Sequence, residues 1–426
     1  MDPFHDRGGA AFAEDVDLAA VAATVGTPAF VYSRAALEGH VRALKEAFAG
    51  ADPLVCYSVK ANASLAVLDV IRRAGAGFDV VSGGELRRAL RVGQDPKRIV
   101  FAGVGKTARE IGEALDAGIL MFNVESEGEL GRIDAIARER GTRADVALRV
   151  NPDVDPRTHT YISTGKRESK FGVDWISAHR LVDGMLGMKG VRLIGLHAHI
   201  GSQITEVGPY VEAAGKVIPF AVEVREAGHP VTLVNLGGGF GIPYGEKPAL
   251  PFSVFGDVLV PRVKEAGLRL VLEPGRSVAG NAGVLLTRVE YVKESGDRRF
   301  VIVDAAMNDL LRPSLYGAHH RIWPAAAPFP EEEAAARDGE MITSDVVGPV
   351  CETGDFLAKD RRLPPVREGD LLVVYGAGAY GREMSSNYNS RPRAPEVLVH
   401  GDRWTVVRER ETFEDLVRGE RIPGED

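Results

Sequence analysis

The sequence predicts an α/β chain: a (β/α)8 barrel over residues 34–280 followed by an all-β domain over residues 281–426. Two observations carry the barrel, and one carries the second domain. Eight short apolar runs recur between residues 55 and 275, each closed by polar residues or glycine. Parallel strands buried on both faces need such continuous runs of four to eight residues. Helical patterns fill the spaces between them, and eight alternations over roughly 220 residues match one turn of a closed barrel. An open doubly wound sheet is the other architecture compatible with this alternation. After about residue 280 the strand-like runs continue without long helices between them, as in an all-β domain.

The elements follow in order. Residues 1–33 hold a short helical pattern, DVDLAAVAATVG, and then the strand-like AFVYS. The eight barrel runs are VCYSV (55–59), FDVVS (78–82), RIVFAG (98–103), LMFNVES (120–126), DVALRVNP (145–152), RLIGLHAHIG (192–201), TLVNLGGG (232–239) and RLVLEPG (269–275). After the first, SLAVLDVIRRAG places Leu65, Leu68 and Ile71 on one helical face and stops at Gly75. SGGE (82–85) and SEGE (126–129) have capping-box spacing directly after a strand. Beyond residue 280, VLLTRVEYVKE, RRFVIVDA, EMITSDVVGP, DLLVVYGA and EVLVHGDRWTVVRERE read as strands. AAAPFPEEEAAARDGE (325–340) reads as a loop or insertion. There is no repeat beyond the strand–helix alternation.

Composition narrows the function classes. Lys plus Arg number 52 against 60 Asp plus Glu, a net charge of −8. That balance argues against nucleic acid or an anionic membrane as partner. No run approaches the 18 apolar residues of a membrane span. The N-terminal MDPFHDRGGAAFAED has no apolar core of a secretory signal. The two cysteines, Cys56 and Cys351, suggest a reducing, cytoplasmic setting rather than a disulfide framework.

In a (β/α)8 barrel the chemistry gathers at the C-terminal ends of the strands. Those ends carry Lys60, Asp79, Arg149, His197, His199, Ser202, Gly237, Gly238, Gly239, Glu273, Gly275 and Arg276. Lys60 is unexpected there, because lysine is seldom buried. The glycine run is compatible with a tight turn or with backbone N–H groups approaching a phosphate. A metal at His197 and His199 lacks the further ligands it would need, so none is expected. One ligand wants an amine, a phosphate cradle, an imidazole to stack on and a buried carboxylate: pyridoxal phosphate. The lysine would hold its aldehyde. Gly turns and Arg276 would take its phosphate. A carboxylate at its ring nitrogen would make the ring an electron sink.

The chain resembles the fold-type III pyridoxal-phosphate decarboxylases, and most closely the diaminopimelate decarboxylase family. The resemblance rests on YSVKAN (57–62), HTYISTG (159–165), SKFG (169–172), HAHIGSQ (197–203), NLGGGFGI (235–242), EPGR (273–276), MNDLLRPSLYGA (307–318), GPVCETGD (348–355) and GAYGREMSSNYNSRPR (378–393). It implies a TIM-type barrel plus a β-domain, the alanine-racemase-like architecture, with the N-terminal strand joining the β-domain. It also implies a homodimer with shared active sites and an amino acid as substrate. By this resemblance Lys60 is the lysine that holds the cofactor, His199 stacks on its ring and Glu273 partners its nitrogen. Ser202, Gly239, Arg276 and Tyr380 surround the phosphate. Arg276, Arg312, Tyr316, Glu352 and Tyr380 meet the substrate, and Cys351 with Glu352 reaches in from the partner subunit. Lys60, Cys351 and His199 are then the catalytic candidates. Thr353 stands where the family often has Ser.

The implied reaction is decarboxylation of meso-diaminopimelate to L-lysine. Ornithine or arginine decarboxylation fits the same fold, but those substrates lack the distal carboxylate that an arginine such as Arg312 would bind. An alanine-type racemase would place an arginine where Glu273 stands. A non-catalytic relative would need neither Lys60 nor Cys351.

Overall fold

The computed structural model describes residues 3–155, 170–244, 248–327 and 341–423. The HTYISTG stretch, Ser169 and residues 328–340 of the proposed insertion lie outside them. The chain divides into two compact units. One comprises residues 38–242 and 249–278, and the other comprises residues 1–37, 243–248 and 279–426.

The first unit is a closed, all-parallel barrel. Its eight strands are Leu54–Ser58, Gly77–Val80, Ile99–Phe101, Met121–Val124, Ala144–Arg149, Val191–His197, Leu233–Asn235 and Arg269–Leu272. They pair in chain order, and the eighth closes on the first through Val271–Leu54 and Leu272–Val55. Each falls on an apolar run of the sequence, because both faces are covered: Leu54–Ser58, for instance, is buried at every residue. Side chains fill the interior, among them Leu54, Cys56, Val100, Met121, Ala147, Leu233 and Val271. Polar residues enter only toward the C-terminal ends. The register sets Ser58 beside Asp79 and lines up Arg149, His197 and Asn235 across neighbouring strands.

Helix details correct the local reading in two places. In the helix Leu65–Arg73, Val67, Leu68, Val70 and Ile71 are buried, whereas Leu65 is 40% exposed. At 100° per residue the buried set shares one arc, and Leu65 lies about 140° from its centre. At SGGE and SEGE the serines cap as expected, Ser82 and Ser126 each accepting the N–H of the glutamate three residues on. The glutamates do not close the box on the serine N–H. Glu85 accepts from Val81 N at 2.7 Å and Glu129 from Glu125 N at 3.0 Å, one residue earlier. A reciprocal box forms instead at Thr107 and Glu110.

The second unit is built on a nine-stranded sheet. The strand Ala29–Ser33 sits inside it, antiparallel to Gly283–Ser295 and parallel to Glu396–His400. A three-stranded sheet (Phe4–Arg7, Ala10–Ala13, Val16–Asp17) and the helix Leu18–Val25 precede it, and the small strands carried no clear sequence signal. Phe4, Ala13, Leu18 and Val21 join Val31, Val284, Leu286, Val373, Val397 and Val399 in one core.

Candidate active site

The C-terminal mouth of the barrel gathers Lys60, Asp79, Arg149, His199, Ser202, Gly237–Gly239, Glu273, Gly275 and Arg276. Lys60 stands in a one-turn 3-10 segment, Val59–Ala61, just past its strand. The expectation of a buried lysine is corrected: its side chain is 41% exposed, because the turn lifts it off the strand into the mouth. Its ammonium is 3.5 Å from Oδ2 of the fully buried Asp79. Ser58 Oγ donates to the same oxygen at 2.7 Å. Burial pushes the Asp79 carboxyl up, and nearby Glu273 pushes it further, against the pull of Lys60, Ser58 and His197.

Glu273 follows the last barrel strand and is held from three directions. Asn123 and Asn235 donate to its Oε1 at 2.7 and 2.6 Å. His197 Nε2 lies 3.2 Å from Oε2. Burial alone would raise this carboxyl, but His197 beside it and Lys60 nearby outweigh it and hold it well below the usual carboxylate range. The site therefore keeps a fixed, buried anion.

His199 behaves differently from His197, two residues earlier. Its Nδ1 accepts the Gly238 N–H at 3.1 Å, so the neutral ring carries its proton on Nε2. Burial, with Arg149 and Lys60 nearby, lowers its pKa well below the ordinary histidine value. It is an uncharged ring near neutral pH, suited to stacking.

The glycine run is packed tightly. A Cβ at Gly238 would stand 1.9 Å from the Glu273 carbonyl, and Tyr210 Oη donates to the Gly238 carbonyl at 2.8 Å. The Gly237 N–H is bound by Asn235 Oδ1 and the Gly238 N–H by His199. In the next turn, a Cβ at Gly275 would meet Ser58 and Ala61 at 3.1 Å. Arg276, itself buried, donates to Ser202 Oγ through Nε at 3.3 Å and Nη2 at 3.1 Å. Arg149 is buried against Glu125 at 2.9 Å and lies over the Phe171 ring.

The remaining predicted residues belong to the other unit. Arg312 is buried, 2.8 Å from His320 Nε2, with its guanidinium over the Tyr244 ring at 4.5 Å. Tyr316 closes the short helix Arg312–Tyr316 and is partly exposed. Tyr380 adopts a left-handed backbone, φ 58°, which is uncommon for tyrosine and is found where structure holds a functional residue. Cys351 and Glu352 are exposed. Asn389 Oδ1 accepts the Cys351 N–H at 3.0 Å, and Tyr388 Oη donates to Glu352 at 3.3 Å.

Sequence reasoning missed several members of this arrangement. Asn123 and Asn235 are single amides inside apolar strand runs, and that oddity was the available signal. Ser58, Tyr388 and Asn389 lie within the family motifs without having been singled out, and Glu125, Tyr210 and His320 carried no comparable mark.

The residues at the mouth fit pyridoxal phosphate. They offer an accessible amine, a neutral imidazole, a fixed carboxylate with His197 3.2 Å from one oxygen, and a buried arginine with a serine. Asp79 Oδ1 is also buried, with no hydrogen-bond partner among the described residues.

Comparison with known proteins agrees with this geometry. Residues 34–280 match the family model for the pyridoxal-binding domain of pyridoxal-dependent decarboxylases. Diaminopimelate decarboxylase of Pseudomonas aeruginosa is 48% identical over 99% of each chain, and that of Aquifex aeolicus is 44% identical over 96% of each. The M. jannaschii diaminopimelate decarboxylase, solved in co-complex with L-lysine, superposes with a TM-score of 0.92 at 38% identity, covering 99% of this chain and 98% of that one. A lysine/ornithine decarboxylase from Vibrio vulnificus shares the fold, with a TM-score of 0.78, at only 22% identity and with 90% of this chain and 97% of that one covered. With this identity running the length of the chain and a mouth shaped for the cofactor, the protein belongs to the diaminopimelate decarboxylase family of pyridoxal-dependent decarboxylases.

Proposed function

We propose that this chain binds pyridoxal phosphate at the barrel mouth and decarboxylates meso-diaminopimelate to L-lysine and carbon dioxide. The observation that carries the reading is an accessible Lys60 at the same barrel mouth as a buried Glu273 carboxyl that Asn123, Asn235 and His197 hold in place. When bound, pyridoxal phosphate supplies an aldehyde for an amine and a ring that accepts the electrons of the broken C–CO2 bond. Glu273 would keep the ring nitrogen protonated, and its two asparagines and His197 hold it to that task. His199 would stack on the ring. Arg276, Ser202, Gly239, Gly275 and Tyr380 would hold the phosphate, with Asp79, Arg149, Gly237 and Gly238 shaping the pocket. Lys60 Nζ would hold the cofactor and afterwards carry a proton, with Asp79 steadying the charge.

The distal end of the substrate carries a carboxylate and an ammonium. Arg276 and Arg312 would take the first and Glu352 the second, with Tyr316 and Tyr380 alongside. Cys351 is the further proton donor. Exposure of Cys351 and Glu352, on a loop that Tyr388 and Asn389 hold in shape, suits a pair presented to the site of a second subunit in a homodimer. Both cysteines are free thiols, which suits the cytoplasm. No described helix is long and apolar enough to cross a membrane.

The test is carbon dioxide release by protein loaded with pyridoxal phosphate, across meso- and LL-diaminopimelate, ornithine, arginine and lysine. Release from the meso isomer alone, lost in Lys60→Ala, is expected. A preference for ornithine or arginine would overturn the substrate assignment.

A further inference from the structure

Behind the mouth residues, the barrel buries an ion pair that the reaction does not require. Lys106 and Glu129 have side chains 1% and 6% exposed, with Nζ 2.6 Å from Oε1. Pairs this deeply buried are often no more stabilising than apolar residues of the same shape, so their presence calls for another reason. All three protons of the lysine find acceptors: Glu129, the Gly103 carbonyl at 2.8 Å and the Asn123 carbonyl at 2.8 Å.

Each contact leads back to the mouth. Glu129 Oε2 accepts the Glu125 N–H. The Glu125 carboxylate takes Gly103 N at 2.9 Å, Gly172 N at 3.2 Å and the Arg149 guanidinium at 2.9 Å. Gly103 is thus gripped at both ends, its N–H by Glu125 and its carbonyl by Lys106. Asn123, whose carbonyl Lys106 holds, points its amide at Glu273.

We propose that Lys106 is a positioning residue: its ion pair with Glu129 locks the turns after the third and fourth barrel strands, so that Arg149 and Glu273 are held in the geometry that receives the cofactor. The inference rests on the cofactor reading above and extends it to residues that do not touch the ligand.

The double variant Lys106→Met/Glu129→Gln removes both charges while the glutamine still accepts the Glu125 N–H. Pyridoxal phosphate affinity is read by fluorescence titration, and the apo-protein melting temperature is read alongside. The expected result is a roughly tenfold weaker affinity, the scale on which outer-sphere partners act, with the apo melting temperature near wild type. Glu129→Gln alone strands the buried Lys106 ammonium and should lose at least as much; Lys106→Met alone decides the matter if the double variant does not fold. Unchanged affinity in the variant that folds overturns the proposal, as does a loss that only tracks the melting temperature. Glu125→Gln is the control. If it weakens binding and the lysine variant does not, the positioning role fails and the cofactor site stands. If wild-type protein binds no pyridoxal phosphate, the site reading fails, and this proposal with it.

Discussion

Two strand–turn–helix segments of the barrel, residues 78–85 and 122–129, run FDVVSGGE and FNVESEGE. Their backbones are near copies. Ser82 and Ser126 cap with φ/ψ of −155/161° and −161/161°, and each glutamate reaches back four residues to a backbone N–H. Among the positions where their chemistry diverges, three bear on the site. Asp79 is a carboxyl group 3.5 Å from the Lys60 ammonium, where Asn123 is an amide donating to Glu273. Val81 is an apolar residue where Glu125 anchors Arg149. Glu85 is only partly buried, where Glu129 is buried against Lys106. The comparison teaches that one local code can serve two jobs. Short-range hydrogen bonds set the turn, and the residues left over take roles fixed by distant partners.

The largest break in this comparison should come at its middle position. Glu125→Ala leaves Arg149 buried without its ion pair, and removing one partner of such a pair destabilises by about 3–5 kcal/mol. Val81→Ala, at the matching position, should lose about 1 kcal/mol of packing. Urea denaturation of the apo-proteins measures both, and equal losses would show that Glu125 does no more than fill space.

A second contrast is sharpened by pH. The folded Asp79 carboxyl lies above its ordinary value, so the folded state binds that proton more tightly than the unfolded chain. Its contribution to stability is therefore full below the ordinary aspartate range and falls as pH rises through the folded value. Glu273 runs the other way: its contribution is present above the ordinary glutamate range and is lost as pH falls. Asp79→Asn makes the first segment resemble the second. The variant should gain stability relative to wild type as pH rises above about 4, with little lost at the half-exposed Lys60 contact. Urea midpoints between pH 4 and 8 that keep a constant difference would contradict this.

The smallest effects should be shared. Ser82→Ala and Ser126→Ala each remove one N-cap bond of 3.2 Å and should each cost about 1 kcal/mol. A several-fold disparity in the measured unfolding energies would mean that the two turns are not equivalent after all.

The sequence by itself determined the eight barrel strands, the serine caps and the strand ends where chemistry collects. These follow from periodicity, short-range capping and continuous apolar runs, which depend on near neighbours along the chain. It marked Lys60, Glu273 and Arg276 because polar strand ends of a barrel converge on one face, where together they suit one ligand. Strand periodicity did not separate His197 from His199, although the family resemblance marked His199 as the stacking ring. Only the folded barrel put the first at a carboxylate and the second on a glycine N–H. Nor did the sequence reveal Asn123, Asn235, Glu125 or Lys106, or show that Lys60 stands in the open mouth. Those assignments depend on partners as distant as the 150 residues that separate Asn123 from Glu273. Closure of the barrel decides such pairings, since side chains from several strands meet only where the cylinder brings their ends together.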